Sequence, residues 1–375
     1  MTSTIPFRRQ LRPRGKLLQE DARRHHRALL LQELFREGPA SRADLARSSG
    51  LTRVTVSDLI GEMVADGLLE ERLVPAQGRV GKPPVQVALA PDSSHIVAVD
   101  LSTDERLTGA VVNLAGQVRH RHELPLDHAR GDEAVALVHR LVEELIARAD
   151  RPVLGVGVGS PGVVDASGTV VDAPNLGWSG MPLAAGLRER FGLPVLVAND
   201  ANAAVLGEHT FGGSGEGGLM VLRVGTGVGA GLVLEGGLLH GHRAAAGEIG
   251  HVVVDPDGEL CACGRRGCLE TILAVPALKA RLGTGDHDTV LGEVGVRLGA
   301  ALAPVVGTLN LHELVLSGPL PLLDGALRAA TERTIRERTM PVSGDELVVR
   351  TSALGDDVVL VGAAVLVLAA ELGVS

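Results

Sequence analysis

Three cysteines and one histidine are the residues in this sequence whose types and spacing most clearly indicate chemistry. Cys261, Cys263 and Cys268 are all the cysteines of the 375-residue chain, and His251 precedes them by ten positions. Three thiolates and one imidazole form a complete tetrahedral ligand set for a structural Zn²⁺ ion. An odd number of cysteines fits a disulfide framework poorly, and the intervening run is rich in glycine and arginine. The sequence therefore predicts one structural zinc ion per chain, in preference to three buried cysteines that cluster by chance.

The composition limits the kind of protein that this chain can be. Apolar residues make up 45% of the sequence and aromatic residues 1%, so the cores must be built from Leu, Val, Ala and Ile. No apolar run approaches the length of a membrane span, and the N-terminal segment lacks the apolar region of a secretory signal. We therefore expect a cytoplasmic protein that has no membrane partner.

The charge of the chain is unevenly distributed. Residues 1–90 contain 15 Lys and Arg against 10 Asp and Glu, a net charge of +5, whereas the rest contains 21 against 35, a net charge of −14. A basic N-terminal part on an acidic body is typical of a nucleic-acid-binding module. Aromatic residues are too few for binding of single strands or RNA by base stacking, so double-stranded operator DNA is the expected partner. We expect residues 1–20 to be a disordered basic tail.

Residues 21–90 show the element order of a winged helix-turn-helix domain. A helix over residues 22–37 is followed by a short helix after Ser41, a break at Gly50 and a third helix after Thr52. Two β-rich runs then predict a hairpin on either side of the loop PAQGRVGKPP. In such domains the third helix enters the major groove with its first residues at the base edges. A small helical protein-interaction domain is the weaker alternative.

Five residues of this domain are predicted to contact DNA. Arg53 can bind a guanine through two hydrogen bonds, and Thr55 or Ser57 can contact bases or phosphate from exposed early positions of the third helix. Arg79 and Lys82 on the wing loop can reach phosphates or an adjacent minor groove. Because one recognition helix reads too few bases for useful specificity, we expect a homodimer or homotetramer on an inverted-repeat operator.

Residues 91–375 change to an α/β pattern that restarts partway along the chain. A strand–turn–strand plan near residues 95–114 recurs near residues 218–235, and helices and strands follow each copy. One of the later helices is predicted to run without a break over residues 322–337. A duplicated α/β unit with a cleft between its two lobes is the simplest architecture for this pattern. Ligands of such folds bind in the cleft, at the carboxyl ends of strands.

Four motifs of this second part resemble those of the ROK family (repressors, open reading frames, kinases). They are GEIGHVVVDPDGELCACGRRGCLE, which resembles the family's zinc signature, VGTGVGAGLVLEG, VANDANAAVLGE, and SPGVVD followed by APNLGW. The similarity covers about residues 95–375, with the zinc loop at 247–270, and the upstream winged helix resembles the family's repressor branch. The resemblance implies an α/β, two-lobed, actin-like sugar-kinase fold that binds hexoses or their derivatives in the cleft.

The resemblance also implies roles for residues of the cleft. Asp200 matches the base that deprotonates the sugar hydroxyl in the family's kinases, and His251 matches a zinc ligand that also abuts the sugar. Converging carboxylates and amides suit a sugar independently, because its hydroxyls both donate and accept hydrogen bonds. For Asp200 alone, a helix N-cap is the alternative role. The remaining matches are contacts to sugar hydroxyls and residues of the loop that closes over the ring: Gly162, Asn175, Asn199, Glu248 and Glu270.

The sequence disfavours phosphate transfer. The turn Gly225–Gly229 is compatible with ATP phosphates, which need glycine-rich turns and little negative charge nearby. The run Asp100–Arg106 (DLSTDER), however, lacks the glycine pair and threonine of the family's kinases, and Asp104 and Glu105 would repel phosphate. The run SGPL at 317–320 departs from the family's kinases as well. We therefore expect no enzyme activity and regard Asp200 as the position of a vestigial base, retained as a sugar ligand.

Three functional hypotheses follow, of which the first is preferred. It is a sugar-responsive transcriptional repressor of carbohydrate metabolism genes, in which the sugar closes the lobes and so changes the affinity for DNA. The second is an ATP-dependent, glucokinase-like sugar kinase with an added DNA-binding arm. The third is a zinc-stabilised interaction protein, which the basic N-terminal part disfavours. The predicted contacts bind hydroxyls common to glucose, xylose and N-acetylglucosamine, so the effector sugar and the direction of its effect remain open.

Overall fold

The computed structural model of the chain describes residues 19–73, 85–215, 217–283 and 285–374. The chain divides into two compact units. The first ends at Leu89 and also includes Leu372–Val374, and the second runs from Ala90 to Glu371. Most of the predicted basic tail lies outside the described residues.

The first unit contains three helices followed by a two-stranded sheet. These elements are α1 (Gln19–Glu37), α2 (Arg42–Ser49), α3 (Arg53–Ala65), β1 (Leu69–Leu73) and β2 (Val85–Leu89). The two strands are antiparallel, and a bridge from the α1–α2 turn adds to β2. This is the predicted order of three helices and a hairpin. The wing loop between the strands lies outside the described residues.

Local signals start and stop the helices of the first unit. The Ser41 hydroxyl accepts a hydrogen bond from the Asp44 amide, and the Thr52 hydroxyl accepts one from the Thr55 amide, each at 3.2 Å. Both are N-caps, which satisfy amides that have no partner within the helix. Between α2 and α3 the chain turns at Gly50, whose φ of +70° favours glycine. The tight turn between the two helices therefore follows from the sequence alone.

The second unit begins with lobe 1, which is built on a five-stranded sheet. Strand order is β10-β6-β3-β4-β5, with β3 parallel to β6 and antiparallel to β4. Strands β7, β8 and β9 form a small separate antiparallel sheet in the Gly/Pro/Asn-rich stretch. The elements of lobe 1 are β3 (His95–Asp100), β4 (Arg106–Asn113), β5 (Val118–Pro125), α4 (Asp132–Arg148), β6 (Val153–Ser160), β7 (Val163–Val164), β8 (Val170–Ala173), β9 (Trp178–Met181), α5 (Leu183–Phe191) and β10 (Val195–Asn199).

Lobe 2 repeats this plan. Its sheet has the order β13-β12-β11-β14-β15, with β11 antiparallel to β12 and parallel to β14. Helix α6 connects the lobes, and α13 ends the unit. The remaining elements are α6 (Asp200–Phe211), β11 (Gly218–Val224), β12 (Val228–Leu234), β13 (Gly237–Leu238), α7 (Glu270–Leu273), α8 (Val275–Leu282), α9 (His287–Leu309), β14 (Leu311–Ser317), α10 (Leu320–Leu323), α11 (Ala326–Arg338), α12 (Pro341–Gly344), β15 (Val348–Thr351) and α13 (Val358–Glu371).

The prediction of one unbroken helix over residues 322–337 is wrong, because the structure has two helices in this segment. Helix α10 ends at Leu323, and α11 begins at Ala326. Gly325 has a φ of +77°, which is not a helical conformation, and Asp324 is extended. The Asp-Gly pair therefore acts as a helix break here, as this dipeptide commonly does in turns.

Helices α6 and α13 pack closely enough to require a glycine between them. A Cβ atom on Gly362 of α13 would lie 1.7 Å from the carbonyl oxygen of Ala203 in α6. Ten residues of α13 are buried, so this helix is apolar on all sides, as a helix in the interior of a domain must be. Because α6 begins at the cleft, this packing fixes the position of its first residue.

One described helix, α9, is long and apolar enough to cross a membrane by length and composition alone. It packs against α11 inside lobe 2 and contributes Leu291, Leu298 and Leu302 to the core of that lobe. A core helix passes the same test of length and composition. We therefore interpret α9 as the central helix of lobe 2.

Candidate functional site

Several loops of the second unit meet around a cavity of about 230 Å³. The loop after β6 and the junction of β10 with α6 reach it from lobe 1, and the β11–β12 turn and the loop before α7 reach it from lobe 2. All the residues that the sequence predicts as sugar contacts line this one cavity: Gly162, Asn175, Asn199, Asp200, Glu248, His251 and Glu270. Residues spread over more than 100 positions of the chain are thus brought to one place.

Asn199 positions the loops of the cavity through its side chain. Its Oδ1 accepts hydrogen bonds from the amides of Ala201 and Asn202, at 2.9 and 3.1 Å, and so caps helix α6. Its Nδ2 donates to the Gly162 carbonyl at 2.9 Å and to Asp200 Oδ1 at 3.1 Å. The N-cap role considered for Asp200 therefore belongs to Asn199, and the amide of Asn199 holds the neighbouring carboxylate in place.

Asp200, the first residue of α6, lies beside an arginine that the sequence analysis did not single out. Arg223 Nε lies 3.9 Å from Asp200 Oδ2, and both side chains are largely buried. Burial raises the pKa of Asp200 to about 6; the Arg223 cation opposes this shift and the Asp100 charge adds to it. Arg223 also donates to the Ser102 hydroxyl at 2.8 Å and to the Ser317 hydroxyl at 3.5 Å. Arg223 thus links the end of β11 to lobe 1 at the base of the cavity.

Two further carboxylates face the cavity from lobe 2. Glu270 Oε2 accepts a hydrogen bond from the Val228 amide at 2.9 Å, which fixes this carboxylate against the β11–β12 turn. Burial raises the pKa of Glu248; His251 lowers it and Glu270 raises it further. With Asp200, these groups give a cavity rich in hydrogen-bond acceptors. Such a lining suits a ligand that carries several hydroxyl donors.

The four predicted metal ligands come together in the structure. The ligand atoms of His251, Cys261, Cys263 and Cys268 all lie within 4.8 Å of one another. His251 Nδ1 is 3.6 Å from Cys261 Sγ, and the sulfurs of Cys263 and Cys268 are 3.6 Å apart. Tetrahedral Zn²⁺ requires ligand atoms about 3.6 to 3.8 Å apart, given its usual bond lengths. The cluster can therefore hold a metal ion, and its donor set fits zinc.

The histidine joins this metal centre to the cavity. While His251 Nδ1 faces Cys261, its Nε2 lies 3.9 Å from Glu248 Oε2. On the other side, Cys261 Sγ lies 3.7 Å from Glu270 Oε1. A metal ion held here would fix the loop on which two of the cavity's carboxylates are mounted.

The loop after β3 contains Asp104 and Glu105, the two acids predicted to repel phosphate. Ser102 lines the cavity, whereas Asp104 and Glu105 are exposed and are not among the lining residues. These two acids therefore lie outside the cavity wall. Arg223 lies in that wall instead, in contact with Ser102 and close to Asp200.

The predicted DNA contacts of the first unit are only partly described. Arg53 and Ser57 are exposed on α3. Thr55 is half-buried rather than exposed, and its hydroxyl lies 2.9 Å from the hydroxyl of Thr52, its partner in the helix cap. Arg79 and Lys82 lie outside the described residues. Two of the five predicted residues are thus presented on the surface of the third helix.

Comparison with known proteins agrees with this architecture. The ROK family profile matches residues 96–370, and the chain belongs to this family. A putative xylose repressor from Caldicellulosiruptor sp. is 32% identical over 265 residues, covering 69% of this chain and 66% of that protein. The xylose repressor of Bacillus spizizenii is 26% identical over 361 residues, covering 89% of this chain and 92% of that protein.

Solved structures of the family match the chain over different shares of its length. A ROK family transcriptional regulator, a homologue of the Escherichia coli MLC protein, matches with a TM-score of 0.82 at 27% identity, covering 94% of this chain and 97% of its own. A ROK family glucokinase from Streptomyces griseus, in complex with glucose and AMPPNP, matches with a TM-score of 0.63 at 28% identity, covering 72% of this chain and 98% of its own. The regulator thus covers more of the chain than the kinase.

Proposed function

We propose that this chain is a sugar-responsive transcriptional repressor, which binds operator DNA through its first unit and a sugar through the cavity of its second unit. The observation that carries the proposal is the convergence of the predicted sugar contacts on one cavity, in a chain that also has a winged helix-turn-helix order. A xylose repressor and a transcriptional regulator match 89% and 94% of this chain, including its first unit, which supports the same function.

The cavity suits a neutral monosaccharide. Three carboxylates and two amides line it, and each carboxylate accepts hydrogen bonds from sugar hydroxyls. A volume of about 230 Å³ accommodates one sugar ring. Since two similar repressors are named for xylose and a similar kinase holds glucose, xylose and glucose are the first candidates for the effector.

A structural zinc ion completes the site in this proposal. His251, Cys261, Cys263 and Cys268 would hold it, and its contribution is to fix the loop rather than to take part in a reaction. Burial and the neighbouring thiols raise the pKa of Cys268 to about 12, so a nearby cation is needed to stabilise its thiolate. This donor set supports zinc over metals that prefer oxygen ligands.

Sugar phosphorylation is the second candidate function, and one observation favours it. Asp200 and the glycine-rich turn that begins at Gly225 line the same cavity, as a kinase would require. Against it, the turn after β3, Asp100–Arg106, lacks the glycine pair and threonine of the family's kinases. We infer a non-enzymatic regulator. Steady ATP consumption in the presence of a hexose would contradict that inference.

The experiment that tests the proposal is fluorescence anisotropy of a labelled duplex from upstream of the protein's own gene, at fixed salt and without ATP. A panel of free and phosphorylated sugars is added, with xylose and glucose first. The expected result is specific binding of the duplex as a homodimer or homotetramer and a change of affinity with one sugar. Binding no stronger than to an unrelated duplex, with no effect of any sugar, would contradict the proposal.

A further inference from the structure

Helix α3 presents one large apolar side chain to solvent. Val54 is 70% exposed, whereas the other large apolar residues in the first two turns and beyond, Val56, Leu59, Ile60 and Met63, are buried. An isolated exposed valine is common on protein surfaces. Val54 is distinguished by its place, in the first turn of the helix, next to Arg53 and at the position from which recognition helices contact base edges.

The surface around Val54 is shallow. Residues three, four and seven positions further on share its face of the helix, and they are Ser57, Asp58 and Gly61, all exposed. A Cβ atom on Gly61 would meet nothing within 4 Å, so the fold itself does not require glycine there. Glycine inside a helix costs about 1 kcal/mol relative to alanine. A small residue at this place is explained by a partner that approaches the helix closely.

The structure also reduces the set of polar groups that can contact bases. The Thr55 hydroxyl pairs with the Thr52 hydroxyl, and the Thr55 amide donates to the same oxygen. Thr55 is therefore committed to the cap of its own helix. Arg53, Val54 and Ser57 remain as exposed side chains of the first turn and a half, and Val54 has no group that can donate or accept a hydrogen bond.

We propose that Val54 reads the C5-methyl group of a thymine in the major groove of the operator. This inference rests on the proposed DNA-binding function. Among the four base pairs, only those with thymine present an apolar methyl group in the major groove, and small apolar side chains recognise it by contact. Val54 thereby adds a preference for thymine to the hydrogen bonds of Arg53, and the neighbouring small residues let the helix approach closely enough for that contact.

The test uses a duplex that the wild-type chain selects from a random-sequence library, in which each conserved thymine is replaced by uracil in turn. Uracil lacks only the methyl group. At one of these positions, uracil is expected to weaken binding of the duplex by the wild-type protein about fourfold, which is the effect of one buried methyl group. Val54→Ala is expected to bind the original duplex more weakly and to be insensitive to uracil at that position. Because Val54 is exposed, the variant should keep the wild-type melting temperature.

A matched control separates this contact from general damage to the helix. Ser57→Ala removes a polar group from the same face and is expected to retain the sensitivity to uracil. Equal affinity for all the uracil duplexes, no conserved thymine, or an unchanged uracil effect in Val54→Ala would each overturn the role of Val54 while leaving DNA binding in place. Failure to select any duplex would overturn the DNA-binding function and this inference with it.

Discussion

Asp200 and Arg223 define the chemistry of the cavity at the scale of single residues. A buried carboxylate next to a guanidinium and held by the Asn199 amide is a fixed hydrogen-bond acceptor. In the proposed function this carboxylate accepts a hydrogen bond from a sugar hydroxyl but does not remove the hydroxyl proton.

Sugar affinity is expected to fall as the pH drops through about 6. Burial raises the pKa of Asp200 to about 6, so below that pH the carboxylate is replaced by the neutral acid, which is a weaker acceptor. The ionised form binds sugar better, and hence affinity is high above this pH and is lost below it. Calorimetric titration with xylose and glucose between about pH 5 and pH 8 measures the effect.

Asp200→Asn is the control for this pH dependence, because asparagine has the same shape and does not titrate. It is expected to bind sugar about 10- to 100-fold more weakly near neutral pH, the usual loss for a hydrogen bond to a charged group. Its affinity should change less between about pH 5 and pH 8 than that of the wild type, although Glu248, whose pKa burial also raises, still lines the cavity. A wild-type affinity that stays constant over this range would contradict the role of Asp200.

Removing the cation beside Asp200 is expected to move that pH threshold upward. Arg223 is the largest of the effects that lower the pKa of Asp200, so Arg223→Gln shifts the balance toward burial and the Asp100 charge, which favour the protonated acid. Arg223→Lys retains the charge and should restore most of the wild-type profile. The same calorimetric series measures the midpoint, and an unchanged or lower midpoint in Arg223→Gln would refute this assignment.

The sequence was a better guide to the residues of the His/Cys cluster than to the side chains that hold the cavity residues in place. The spacing of the cysteines and His251 was sufficient to predict that the four side chains lie together, because these residue types at this spacing have few other uses. Arg223 gave no such signal, since one arginine in a β-rich run also fits an exposed edge of a sheet. The capping role of Asn199 was missed as well, because either of two neighbouring polar residues could have ended the loop.

At the scale of elements, the cavity depends on how α6 is seated. Helix α13 passes so close to α6 that the Gly362 Cα faces the Ala203 carbonyl, and α6 carries Asp200 at its first turn. A displacement of α6 would therefore move the carboxylate relative to Glu248 and Glu270. In a core packed this closely, even a small increase in side-chain volume displaces neighbouring residues.

Gly362→Ala is expected to destabilise the second unit by about 1–3 kcal/mol, because the new methyl group would overlap the Ala203 carbonyl. Gly186→Ala is the matched control: it lies in helix α5, where a Cβ atom meets nothing within 4 Å. That change should leave stability unchanged or raise it by up to about 1 kcal/mol. Thermal unfolding distinguishes them, and equal melting temperatures would disprove the close approach.

The zinc loop is expected to carry one zinc ion per chain, measured by metal analysis of protein purified without chelator. Cys268→Ser should abolish the bound zinc, lower the melting temperature and weaken sugar binding, because the loop that carries His251 is no longer fixed by a metal ion. The exposed Glu346→Gln serves as a control that keeps all three properties. Full sugar affinity in a zinc-free protein would show that the loop is positioned without metal.

Most elements were predictable because their periodicity and caps agree. Ser41 and Thr52 mark the helices of the first unit, and the strand–turn–strand repeat marks the two lobes. The small sheet β7-β8-β9 was missed because strands of two to four residues in a glycine-rich stretch lack a period. The break at Gly325 was missed although Asp324-Gly325 is a turn signal, because apolar residues flank the pair on both sides and continue the helical pattern.

At the scale of the whole molecule, the proposed function requires two binding activities in one chain. In this proposal the first unit supplies the recognition helix and wing strands, and the second supplies the cavity and the His/Cys cluster. If sugar changes the affinity for DNA, then by linkage DNA must change the affinity for sugar by the same factor. The sequence could identify both parts, since each has its own motifs, but motifs alone do not specify the sign of this coupling.

The most direct measurement of the central claim is DNA affinity with and without sugar in three proteins. In wild type, the effector sugar is expected to change the affinity for the duplex by about 5- to 150-fold, the usual range for coupled sites. Asp200→Asn should bind the duplex normally and lose the response, whereas Arg53→Ala should bind sugar normally and lose specific DNA binding. A wild-type affinity for DNA that no sugar changes, in a protein that binds both ligands, would contradict the account.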